Sequence, residues 1–340
     1  MATLADVARR AGVSPATASR IINGSPKPVT EGLRERVLAA VEELQYVPNA
    51  HAQLLARSHR SAVGVIVHDV SDPYFAEITK GLQRVATENG RLVIICNSYR
   101  DPDKELEYVE LLRAHQVAAI ILAGSGYHDE SYTTTLDNKL RVYEATGGRV
   151  AVIGRHQHAG DAVVPANTTG GHLAATELYE LGHTRIGVIA GPAHLTTTTD
   201  RLAGIQQAAA EHGHTIAPTH ITYADFDPPS GATATARLLE AHPDITAIAA
   251  LNDSMAVGAL RHLRQAGRTA PGDISLIGFD DMPVAQDVTP TLTTVRLPLA
   301  DMGARAMTLA LRPPDDTATP QIEEAGATLV RRESTAPPRR

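Results

Sequence analysis

The run Pro15-Ala-Thr-Ala-Ser-Arg20 leads small, mostly uncharged side chains up to a single guanidinium. A guanidinium presents a planar fork of N–H donors that matches the acceptors on the major-groove edge of guanine, and small neighbours let a helix come close to base edges. These residue types in this order point to sequence reading on DNA. The other patterns that could do chemistry are thinner. His156-x-His158 and His212-x-His214 have no further ligands at metal spacing and read as exposed loop histidines. Gly124-Ser-Gly126 begins like a dinucleotide fingerprint, but Asp129 stands where the third glycine belongs, and Ser125 lies in no Gly-x-Ser-x-Gly elbow. The chain therefore reads as a binding protein, with no enzyme activity, cofactor or metal expected.

Arg20 needs a helix able to enter a groove. Leu4, Val7, Ala8 and Ala11 recur at i, i+3, i+4, i+7, which predicts a first helix with one apolar face and leaves Asp6, Arg9 and Arg10 toward water or phosphate. Gly12 suits a helix end, Ser14 an N-cap and Pro15 a first helical position. A second helix then buries Ala18, Ile21 and Ile22 and turns Pro15, Ala16, Thr17, Ser19 and Arg20 outward. Leu33, Val37, Leu38, Val41 and Leu44 predict a third helix, capped by Thr30 and stopped before Pro48. The three form a helix-turn-helix head, the alternative being a plain helical hairpin. Residues 49–56 carry too few apolar anchors for a helix that is stable alone, and read equally as a linker.

Charge supports one end as the nucleic-acid end. Eight Lys/Arg against five Asp/Glu in residues 1–60 make a net of +3, leaving −10 for the rest of a chain of net −7. The length of 340 residues and 43% hydrophobic content allow a large body behind this head. Cys96 is the single cysteine, in the apolar run 92–96, and reads as a buried thiol in a reducing compartment. Asp6 and two arginines interrupt any secretory signal, and no stretch approaches a membrane span, so a cytoplasmic protein is expected. From residue 61 apolar strands (63–67, 91–97, 117–123, 150–153) alternate with helices (73–89, 103–115). The series restarts with strands 186–190, 220–223, 247–251 and 274–278 among helices 170–181, 201–212, 230–241 and 254–266. Two parallel sheets imply two lobes, with a shared cleft beyond the carboxyl ends of their strands.

Several motifs occur in a specific order: Asp6-Val-Ala-Arg-Arg-Ala-Gly-Val-Ser14, Ser19-Arg-Ile-Ile-Asn-Gly24, Tyr46-Val-Pro-Asn49, Pro73-Tyr-Phe75 and Glu180-Leu-Gly-His-Thr-Arg-Ile186. Asn252-Asp253, Pro271-Gly-Asp-Ile-Ser-Leu-Ile-Gly-Phe-Asp-Asp281, Pro290-Thr-Leu-Thr-Thr-Val295 and Arg332-Glu-Ser-Thr335 follow. Over nearly its whole length the chain resembles bacterial transcriptional regulators of the LacI/GalR (lactose repressor) family. The resemblance implies an all-α helix-turn-helix head (1–48), a hinge helix and linker (49–60) and an α/β, two-lobed body like a periplasmic binding protein. The chain would cross three times between lobes, placing 61–161 plus 290–322 in the N-terminal lobe and 162–289 plus 323–340 in the C-terminal lobe.

The same resemblance assigns base contacts to Pro15, Ala16 and Arg20, phosphate contacts to Thr17 and Ser19, and Asn23 to the same surface. Leu55 would wedge into the minor groove at a central CG step of a pseudo-palindromic operator, and Ala52 would let the hinge helices of a homodimer approach. Tyr74, Phe75, Arg155, Arg201, Phe226, Asn252 and Asp280 would grip a small-molecule effector, with aromatic faces against a sugar or base ring and polar groups giving direction. Alternatively, Arg201 pairs with Asp200 and Asn252 simply caps a helix; Phe279 reads as core. The implied function is a repressor of carbohydrate-utilisation genes whose operator affinity is coupled to a sugar. The alternatives are a sugar receptor with no DNA role and a nucleobase-responsive corepressed regulator. Gly154 and Ala166 replace acids often found in this family, which favours an acidic or phosphorylated effector held by Arg155 and Arg201.

Overall fold

Thr3 and Asp6 start the chain's first helix, α1 (Leu4–Ala11), with a capping box in which each side chain accepts from the other's backbone N–H. Gly12 ends it at φ 66°. Ser14 Oγ accepts from the Thr17 amide at 3.1 Å and opens α2 (Pro15–Ile22), and α3 (Glu31–Glu43) completes the head. Val7, Ala8, Ala11, Ala18, Ile21, Val37 and Ala40 are its core, with Ile22 partly buried beside them. Thr30 occupies the N-cap position of α3 but its side chain makes no capping bond, so the expected cap is one of position only. The computed structural model describes residues 2–22, 29–46, 62–313 and 319–339. Asn23, Ala52 and Leu55 lie outside them, as does the expected hinge helix. The chain divides into two units, Met1–Ser61 and Ala62–Arg340.

The second unit runs β1 (Ala62–Val67), α4 (Pro73–Glu88), β2 (Leu92–Asn97), α5 (Pro102–Ala114), β3 (Ala119–Ala123), α6 (Glu130–Ala145), β4 (Arg149–Ile153) and β5 (Asp161–Pro165). It continues with α7 (Asn167–Glu180), β6 (Ile186–Ala190), α8 (Thr196–Glu211), β7 (Ile221–Tyr223), α9 (Pro228–Ala241), β8 (Ala247–Ala250), α10 (Asp253–Gln265) and β9 (Ser275–Asp280). The last elements are α11 (Val284–Asp287), β10 (Thr293–Arg296), α12 (Leu299–Ala310), β11 (Ile322–Ala325) and β12 (Thr328–Val330). One sheet has the order β11-β5-β4-β3-β1-β2, and the other β12-β10-β9-β8-β6-β7. All pairs are parallel except β10 with β12. Among the described residues no helix is long and apolar enough to cross a membrane.

Pairing moves the expected lobe boundaries. β5 joins the first sheet, β10 the second and β11 the first. The crossings therefore follow residues 165, 296 and 325 rather than 161, 289 and 322. β5 escapes the sequence because Asp161 and Pro165 leave it only three apolar residues, and α6 because threonines and charges dilute its periodicity. α4 and α12 pack closely where a Cβ on Gly81 would meet the Ala300 carbonyl and one on Gly303 the Ile78 carbonyl. β2 is an edge strand with Leu92 65% and Ile95 39% exposed, so Cys96 is half-buried rather than buried.

Candidate functional site

On the head, α2 exposes Pro15 and Ala16 and partly exposes Thr17, Ser19 and Arg20. The hydroxyls of Ser14 and Thr17 share a hydrogen bond of 2.9 Å, which fixes the start of this face. Among the described residues no salt bridge engages Arg20, whereas Arg9 pairs with Asp6 and Arg10 with Glu43 of α3 at 2.7 Å. The exposed face thus combines a close-approach surface with an available donor fork.

In the body, strand order reverses between β1 and β3 in one sheet and between β6 and β8 in the other. Loops leaving such neighbours diverge and open a crevice at the carboxyl ends. A pocket lies there, with about 390 Å³ of free space counted out to open solvent. The first sheet contributes His68, Asp72, Tyr74 and Phe75 after β1, Arg100 after β2, and Gly124 and Ser125 after β3. The second contributes Leu195, Thr197 and Arg201 from the start of α8, Phe226 after β7, Asn252 after β8 and Asp280 closing β9. Both lobes therefore supply aromatic faces and hydrogen-bonding groups.

Arg201 is buried and held on three sides: Nε donates to Asn167 Oδ1 at 2.9 Å, Nη1 to the Leu251 carbonyl at 2.5 Å and Nη2 to Asp280 Oδ1 at 2.8 Å. Its guanidinium lies 3.7 Å from the centre of the Phe279 ring, a cation–π contact beneath the pocket floor. Asp280 sits at φ 102° and Phe226 at φ 62°, conformations that L-residues keep only where their surroundings enforce them. Asn252 does two jobs: Oδ1 caps α10 by accepting from the Met255 amide at 2.8 Å, and Nδ2 donates to the Phe226 carbonyl at 3.1 Å. Phe75 stands edge-on to His68 at 5.5 Å and to Tyr74 at 5.0 Å.

Burial pushes the Asp72 carboxyl up to about 6, with the Tyr74 amide and Arg100 opposing and the Asp280 charge adding to the shift. Asp280 is also raised by burial, against Arg201. Behind the pocket, His68 Nε2 lies 3.4 Å from Glu105 Oε1, and Tyr132 and Tyr127 donate to the same carboxylate. Burial drives Glu105 upward, but the bonds from His68 and Tyr132 outweigh it and hold the carboxyl below its ordinary value. One side of the cleft is seamed shut. Tyr127 and Leu195 form an antiparallel bridge, the Thr196 amide donates to the Gly126 carbonyl at 2.9 Å, and Arg155 grips Asp200 through Nε and Nη2 at 2.9 and 2.6 Å.

Residues 3–49 match the family described as bacterial regulatory proteins, lacI family, and residues 175–335 match the periplasmic binding protein-like domain. The chain is 38% identical over 348 residues to the HTH-type transcriptional regulator GalR of Escherichia coli K12, covering 99% of this chain and 97% of that protein. It belongs to the LacI family. The HTH-type transcriptional repressor PurR of Proteus mirabilis is 34% identical, over 99% of this chain and 97% of its own. Among solved structures, the transcriptional regulator CelR–cellobiose complex has a TM-score of 0.72 at 31% identity, covering 98% of this chain and 100% of its own. The lac repressor dimer bound to operator and the anti-inducer ONPF reaches 0.83 at 27%, covering 98% and 99%. This LacI-family member is thus a DNA-binding transcriptional regulator whose head is joined to a small-molecule-binding body.

Six of the seven effector residues expected for a LacI-family protein, Tyr74, Phe75, Arg201, Phe226, Asn252 and Asp280, meet in the one pocket. Arg155 does not line it and points to Asp200, while Arg201 chooses Asp280 rather than Asp200. The two cations offered for an acidic effector are therefore already paired. Gly154 has φ 119° with the Gly124 carbonyl where a Cβ would go, so this backbone has no room for the acid often found there. His158 is not an exposed loop histidine: its side chain is 2% exposed and bonded to Asp137 at 2.9 Å. Sequence reasoning does not reach His68, Asp72, Arg100, Ser125 or Thr197. Asp72 has a local signal, as the N-cap before Pro73, and Thr197 would follow from starting α8 at Thr196. His68 and Arg100 share the position just after a strand, β1 and β2 respectively, that marks Phe226 and Asn252.

Proposed function

We propose that this regulator binds a small sugar in its inter-lobe pocket and that occupancy changes its affinity for a pseudo-palindromic operator, engaged by a homodimer. One observation carries the proposal. The pocket sits where both sheets reverse strand order, so a single ring between Tyr74, Phe75 and Phe226 would touch groups from both lobes. Such a ligand binds the closed arrangement better than an open one, and that difference is what shifts a conformational equilibrium. The cellobiose and operator complexes of similar proteins support the sugar, the DNA and the dimer.

On the DNA side, Arg20 carries direct reading, Ala16 packs on a thymine methyl, and Thr17 and Ser19 hold phosphates. Leu55 wedges the minor groove, with Ala52 at the hinge contact and Asn23 on the same DNA surface. Residues 1–60, the head with its hinge and linker, carry a net of only +3 and bind weakly as a single copy, so two are needed. The genes controlled are those of carbohydrate use, the protein works in the cytoplasm, and it catalyses no reaction. Linkage makes the two sites reciprocal: a coupling of about 1–3 kcal/mol changes operator affinity roughly 5- to 150-fold. The test is operator binding by the full-length protein, titrated with sugars and nucleobases. A sugar that binds by calorimetry yet leaves operator affinity unchanged would refute the coupling.

A further inference from the structure

Beside the pocket, and sharing Asp72, Arg100 and Phe226 with it, is a hollow of about 560 Å³ counted out to open solvent, which forms its rim on that side. Asp69, Asp225 and Asp227 complete that rim, so four carboxylates surround one guanidinium. Positive charge further in is already engaged. Arg201 is bound by Asp280, Asn167 and Leu251, and Arg100 lies 3.7 Å from Asp72 and 5.6 Å over the Phe226 ring. Arg100 makes no hydrogen bond among the described residues, and its Nε is buried without a partner. A hydroxyl or ring oxygen satisfies it without adding charge. A phosphoryl group would bring a charge of about −1.5 to −2 into the acidic mouth.

We propose that the cleft selects an uncharged sugar and that Asp69 and Asp225 at its mouth reject the matching sugar phosphate. This rests on the sugar assignment made under Proposed function. Asp225 is exposed, and Asp69 uses one oxygen to hold Ser71 at 2.8–2.9 Å, an acceptor role that asparagine keeps. Neither lines the inner pocket, so their effect on a ligand is through charge. Such an effect is long-range and weakens as salt shortens the Debye length from about 10 Å at 0.1 M to about 3 Å at 1 M.

Calorimetry on the full-length protein with matched probes tests this: D-glucose and glucose 6-phosphate, D-galactose and galactose 6-phosphate, D-ribose and ribose 5-phosphate. The expected result is that a neutral member binds and its phosphate binds about 30-fold more weakly, roughly 2 kcal/mol at 1.4 kcal/mol per tenfold. Raising salt toward 1 M narrows the gap at least threefold, and so does the Asp69→Asn/Asp225→Asn double variant. A phosphate that binds as tightly as its parent overturns the selection while leaving the sugar assignment standing. So does a gap that ignores both salt and the double substitution. If that variant does not fold, the salt series on the unmodified protein decides. Binding by no sugar and no phosphate in the panel overturns the sugar assignment itself.

Discussion

Replacing Asp72 with asparagine should stabilise the body at neutral pH and do little in acid. Asp72 Oδ1 accepts from the Tyr74 amide at 3.0 Å to cap α4, and asparagine caps helices about as well as aspartate, so the hydrogen bond survives. What changes is the charge. Burial lifts this carboxyl from 3.8 to about 6 in the folded protein. A raised acid pKa means that the folded state holds its proton more tightly than the unfolded state, so stability is greatest below 3.8 and declines as pH rises through 6. The full loss is about 3 kcal/mol, from roughly 2.2 pH units at 1.36 kcal/mol each, and about 1 kcal/mol of it is already present at pH 4.5. The Asp72→Asn variant removes this pH-dependent cost. Its stability relative to the parent should therefore improve by about 2 kcal/mol more at pH 8 than at pH 4.5. Urea unfolding followed by near-ultraviolet circular dichroism reports on the body, since only Tyr46 of the nine tyrosines lies in the head. Equal differences between variant and parent at the two pH values would show that Asp72 titrates normally and that its burial is not what governs it.

Three further substitutions probe other parts of the chain. Arg20→Ala should lower operator affinity about 10- to 100-fold, the worth of one bidentate base contact, and leave affinity for random DNA within a few-fold; equal losses on both in filter binding would reject the base-reading role. Arg201→Met leaves Asp280 buried without its partner and should cost about 3–5 kcal/mol of body stability, less at pH 5 than at pH 8; adding Asp280→Asn should recover part of it in urea titrations. Arg155→Ala breaks a cross-cleft pair whose arginine is 50% exposed, so stability should fall by no more than about 1 kcal/mol while effector dissociation speeds up several-fold in stopped-flow measurements. An unchanged off-rate would mean that the seam is held without Arg155.

Local physics makes much of this protein legible in its residue order. A helix repeats every few residues, so Leu4, Val7, Ala8 and Ala11 announce α1, and Ser14 and Pro15 announce the start of α2 within a single turn. Buried parallel strands such as β1 and β9 show as unbroken apolar runs, and ordered motifs mark the family. The pocket is partly legible because Phe226 and Asn252 stand just after strands and Phe75 in the first turn of the helix that follows β1, where loops must gather. Partners are not legible. That Arg201 chooses Asp280, 79 residues away, over adjacent Asp200, or that Arg155 faces away from the pocket, depends on where two sheets place their loop ends. The chain's acidic mouth is of the same kind, since Asp69 and Asp225 meet only because β1 and β7 belong to facing lobes. The sequence by itself determined most of the elements, the two-part organisation and the outward face of α2, because each rests on neighbours a turn or a strand apart. Only the tertiary structure decided which charges are neutralised and which line the rim of the pocket, because that balance is struck between residues brought together by the crossings after 165, 296 and 325.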